Sequence, residues 1–154
     1  MIYELSKSLF TQAEMYRHTV LSLTSNDVYN PATTVLNELA MECYLGSLIE
    51  HLSGKSLESI YGKGCIPHDL FQLYNAIYSF DKEKQLPIFD RNLRKELSGA
   101  FKDYQASRFP KENNYKLVDE EAISFNVSLM GDIYELAHDF FQKIETLQEE
   151  KEEK

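Results

Sequence analysis

The sequence predicts an all-α fold, an up-and-down bundle of about five helices. Three observations carry that expectation. In the run NPATTVLNELAMECYLGSLIEHL, Met41, Leu45, Leu48 and Leu52 fall on one stripe, and Leu36, Leu39, Ala40 and Cys43 on a second, at about 100° per residue. A helix that is apolar on two sides lies between neighbours rather than at the surface, so residues 30–52 are expected to form a central helix. The flanking segments each carry a single apolar stripe at steps of three and four. No alternating strand pattern of useful length and no internal repeat interrupts them.

The elements follow in order. Residues 2–24 form the first helix, with Ile2, Leu5, Leu9, Ala13, Tyr16, Val20 and Leu23 on one face. Ser25, Asn26 and Asp27 make a turn. The central helix starts on Asn30 as N-cap with Pro31 at its first position, and Gly54 closes it. A short helical turn, Leu57 to Tyr61, precedes a loop set by Gly62, Gly64 and Pro67. The next full helix begins near His68 and buries Leu70, Tyr74 and Ile77, with Phe71 and Tyr78 beside them. Pro87 breaks a charged connector, and Asp90 is the expected N-cap of a helix with Leu93, Leu97, Phe101 and Tyr104 on its core face. Pro110 ends that helix near Arg108. Asp119 opens the last and longest helix, whose stripe runs from Ile123 to Leu147. One helical domain is expected over residues 1–149, followed by a solvated charged tail, 150–154.

Composition narrows the functions. The chain has 154 residues, 43% hydrophobic and 12% aromatic, enough for one domain with a real core. A net charge of −9 opposes non-specific nucleic-acid binding, which depends on Lys and Arg neutralising phosphate, but leaves room for a small basic site. No uncharged run reaches the roughly 18 residues of a membrane span, and Glu4 and Lys7 interrupt any leader-like apolar stretch. Cys43 and Cys65 form no CxxC unit, so the expected compartment is the cytoplasm and no disulfide, metal or other cofactor is expected.

Few residues suggest chemistry. Glu135 and His138 have the Glu-x-x-His spacing of di-iron bundles, but Glu135 points away from the apolar stripe, as do Glu14 and His18 from theirs. The Asn126-Val-Ser128 sequon lies inside a helix and carries no weight. On the central helix, Asn37 falls within an apolar stripe, and Glu38 and Glu42 share a side one turn apart. These carboxylates either reach solvent at a groove or accept hydrogen bonds from a cation. Arg108 shares a face with Leu97, Phe101 and Tyr104, and is expected to be partly buried against an acidic side chain, Glu42 or Asp69, or against helix-end carbonyls. Asp69 suits capping, and His68 beside it is a candidate ligand contact because histidine titrates near neutrality.

Three pieces together resemble the HEPN superfamily of small helical bundles. NELAMECYLGSLIEHLSGK (residues 37–55) looks like that family's second helix, HDLFQLYNAI (68–77) like the start of its next long helix, and SRFP (107–110) like its Arg-aromatic-Pro element. Catalytic members are metal-independent ribonucleases with an Arg-x(4–6)-His motif. Here no histidine follows Arg91, Arg94 or Arg108 at that distance, and Glu112, Asn113 and Asn114 stand in the stretch after Arg108. Asparagine cannot exchange a proton near neutral pH. The resemblance therefore implies a non-catalytic member, an accessory or binding module of a prokaryotic stress or defence system of the toxin–antitoxin kind. It would bind a nucleotide or RNA through His68, Asp69, Arg108, Lys111, Asn113 and Glu42, and it would be a homodimer. A dimerisation or partner-protein role without ligand, and a ribonuclease with His68 as a displaced histidine, are the competing expectations.

Overall fold

The computed structural model describes residues 2–86 and 91–153, and the side chains of 2–6, 91 and 92 are outside that description. The described residues form six helices: α1 (Ile2–Ser25), α2 (Pro31–Ser53), α3 (Leu57–Tyr61), α4 (Leu70–Phe80), α5 (Arg91–Arg108) and α6 (Glu120–Glu152). No strand occurs among them, and the fold is an all-α bundle. No described helix is long and apolar enough to cross a membrane. Asp90, the expected cap of α5, lies outside the described residues.

α2 is the axis of the bundle, touching all five other helices. Its ends are fixed locally. Asn30 accepts a hydrogen bond from the Thr33 amide at 3.1 Å, and Thr33 Oγ1 accepts from the Asn30 amide in return. This reciprocal cap satisfies two amides that the first turn leaves without partners. At the other end Gly54 takes φ of 70° and donates its amide to Glu50, a left-handed geometry that glycine adopts without penalty. Between these caps, burial of both sides is nearly continuous. Met41, Leu45 and Leu48 are fully buried on one side and Ala40, Tyr44 and Ile49 on others.

The surrounding helices contribute Ala13 and Val20 from α1, Leu70, Leu73, Tyr74 and Ile77 from α4, and Leu97 and Ala100 from α5. α6 adds Met130, Ile133, Ala137, Phe140 and Phe141. His51 sits edge-on to Phe140 and Phe141, and burial pulls its pKa below the ordinary histidine value.

Two expectations need correction. Glu14 does not point away from the core: it accepts a 2.5 Å hydrogen bond from the fully buried Tyr44. A buried phenol needs an acceptor, and Glu14 is within reach from α1. Desolvation and that bond raise the Tyr44 pKa. Leu147, expected in the α6 stripe, is exposed, because α6 continues as helix to Glu152 with its last turns in solvent.

Candidate functional site

Three elements bring polar side chains together at one end of the bundle. The first half of α2 supplies Glu38 and Glu42, one turn apart. The loop after α3 turns through Gly62 and Gly64, at φ of 92° and 76°, and delivers His68 and Asp69 to the start of α4. The last turn of α5 supplies Tyr104 and Arg108.

Glu42 Oε1 and His68 Nδ1 are 2.7 Å apart, the glutamate side chain 12% exposed and the imidazole 58%. The carboxylate holds the proton on Nδ1 and leaves Nε2 as the ring's second polar atom. Glu38 lies behind this pair and is 1% exposed. Among the described residues, no N–H or O–H group donates to either of its oxygens. Two carboxylates cannot bond each other, but a protonated Glu38 donates to Glu42. Burial first, and the Glu42 charge second, push the Glu38 pKa up to about 10, while the Arg108 charge works against them. Burial also raises Glu42, against the pull of His68. Of the two carboxyls, Glu38 is the one that burial and its neighbour's charge favour in the protonated form.

Arg108 departs from expectation. It is exposed, and its Nη1 donates to the Tyr104 hydroxyl instead of to a carboxylate. The two residues are four apart on one helix, so the buried ring of Tyr104 presents its hydroxyl at the rim where the guanidinium passes. The guanidinium carbon is 5.7 Å from the Tyr104 ring centroid and 5.2 Å from that of Phe109. Arg108 stays close enough to Glu38 and Glu42 for its charge to lower both their pKa values.

The remaining candidates are placed as follows. Asp69 caps α4, accepting from the Phe71 amide at 2.9 Å. Lys111 is exposed on the 109–119 loop. Asn113 closes α5: its Nδ2 donates to the carbonyls of Gln105 at 3.0 Å and Phe109 at 2.8 Å. The loop then passes through Asn114 and Tyr115 at φ of 56° and 54°, a conformation that costs a bulky residue energy. The structure thus gathers Glu42, His68, Asp69 and Arg108 at one end and commits Asn113 to the backbone. Glu135 is exposed, and no group of acidic, histidine or cysteine side chains among the described residues is arranged to hold a metal.

No family model matches the chain, and no curated protein or solved structure is significantly similar to it.

Two features were missed in the sequence. Tyr104 reads as a core aromatic, although its spacing from Arg108 signals the contact. A second relay runs deeper: Asn37 donates to the Asn126 carbonyl at 2.9 Å, and Asn126 donates to Asp103 at 2.9 Å. The signal for it was an asparagine inside an apolar stripe, which needs a buried partner.

Proposed function

We propose that the chain is a non-catalytic, HEPN-like helical module that binds the phosphate-bearing end of a nucleotide or RNA between Arg108 and His68. In this reading it acts as a cytoplasmic homodimer, an accessory unit of a prokaryotic stress or defence system. The observation that carries the reading is the 2.7 Å bond by which Glu42 fixes an imidazole that is open to solvent, at the end of the bundle that also holds Arg108. A guanidinium is a preferred partner for phosphate oxygens, and Tyr104 restrains it. Protonation of Glu38 supports the same reading, because it removes a negative charge that would repel a phosphate. Phe109, Tyr115 and Leu117 are exposed nearby on the chain and offer apolar surface to a base or to a second copy.

The test is a thermal-shift and calorimetric series with AMP, ATP and short RNA. Binding is expected for the parent chain and lost in Arg108→Ala with little change in melting temperature. Absence of binding to every ligand, with sedimentation showing a dimer, would assign the protein-interaction role. The same Glu42–His68 bond also favours a second reading, because a carboxylate on Nδ1 prepares Nε2 for general acid–base work. RNA cleavage that disappears in His68→Ala would assign the ribonuclease.

A further inference from the structure

On the opposite side of α5 from Arg108, a groove of about 600 Å³ runs between α5 and α6. Its floor is apolar, made by Gly99, Ala100, Ala122 and the Phe125 ring, which is 53% exposed. Among the described residues, its charged lining is Glu96 and Asp103 from α5, Asp119 at the cap of α6 and Glu121 within α6, with Lys95 as the cation. Two of these carboxylates are fixed in place: Asn126 donates to Asp103, and Asp119 accepts from the Ala122 amide at 2.8 Å.

We infer that this groove docks a short basic amphipathic helix of a partner protein, apolar residues down and Lys or Arg up. Charge complementarity selects that occupant. Four carboxylates around an apolar floor repel nucleic acid, and they repel a second copy of a chain with net charge −9. Length fits as well. Glu96 and Asp103 are seven positions apart, about 10 Å along α5 at 1.5 Å per residue, which matches cations two turns apart on a helix lying alongside. The small residues of the floor let such a helix approach closely. At Gly99, an added Cβ would meet no atom within 4 Å, so the groove is open directly above the backbone. The apolar stripe supplies contact area and the carboxylates set orientation and on-rate. This surface is separate from the Arg108 end and does not depend on what binds there.

The probe is a fluorescein-labelled peptide of Leu and Lys in helical repeat, about 14 residues long so that it can form a helix, read by anisotropy against the full chain. Binding is expected at micromolar peptide, to weaken about tenfold in the Glu96→Gln/Glu121→Gln variant, and to be retained in Gly99→Ala. Gly99→Leu, which extends a bulky side chain from a position where an added Cβ meets open space, is expected to abolish binding while circular dichroism stays unchanged. Binding that Gly99→Leu leaves intact would reduce the effect to general charge attraction and overturn the inference. So would no binding at about 100 μM peptide, or spermine displacing the peptide at equal concentration, which would make the groove a small-cation site. Nucleotide binding at Arg108 is measured separately, so failure of either reading leaves the other standing.

Discussion

Glu42 and His68 lie 26 positions apart in the chain and are joined by a 2.7 Å hydrogen bond. It ties the middle of α2 to the segment that enters α4, and it sets which ring nitrogen carries the proton. In ¹⁵N spectra the neutral His68 ring is therefore expected as the Nδ1–H tautomer. Glu42→Ala should lose that preference. An unchanged ring pattern would mean that the bond does not form in solution.

Glu38 gives a pH prediction. Its folded-state pKa is raised from 4.5 to about 10, so the folded chain holds a proton that the unfolded chain releases. The stability this contributes is complete below about pH 4.5 and is lost as pH rises toward 10. Glu38→Gln has no proton to lose. Urea unfolding between pH 5 and 9 should show the parent falling relative to the variant by more than about 1.4 kcal/mol, the worth of one pKa unit. Parallel curves would place Glu38 in water.

Leu45 and Leu48 are both fully buried on α2. Truncation of either to alanine is expected to cost about 2–5 kcal/mol, the transfer of the lost atoms plus the cavity they leave. Chemical denaturation measures this directly, and a loss below about 1 kcal/mol at both sites would contradict the axial position of α2.

Asn113→Ala removes two hydrogen bonds to the end of α5. A loss of about 1–2 kcal/mol is expected, with faster amide exchange in the last turn of α5. Unchanged stability combined with weaker nucleotide binding would instead make Asn113 a ligand contact.

The helices were legible because their signals are local. Asn30, Pro31 and Gly54 mark the ends of α2 within a few residues, and the two-sided pattern of Met41 to Leu52 states its central place. The capping role of Asp69 was legible for the same reason. The position of Arg108 was not. Its four-residue spacing from Tyr104 is readable within α5, but whether the guanidinium also reaches a carboxylate of α2 depends on where α2 and α5 cross, and no spacing within α5 encodes that crossing. Glu38 differs again: two glutamates one turn apart can be read from the sequence, but which one is desolvated depends on the neighbours that α4 and α5 bring. Glu14 was misjudged because its partner, Tyr44, lies on another helix.

The two cysteines differ in a way a chemist can use. Burial, reinforced by Glu42 and Glu38, pushes the Cys43 thiol up to about 12, so it holds almost no thiolate near neutral pH and resists electrophiles. Cys65 is an exposed free thiol in the loop that leads to His68. A maleimide or nitroxide reagent should therefore modify the native chain at Cys65 alone. The fold thus has a built-in attachment point three residues before the imidazole, where a spectroscopic reporter would register whatever arrives there.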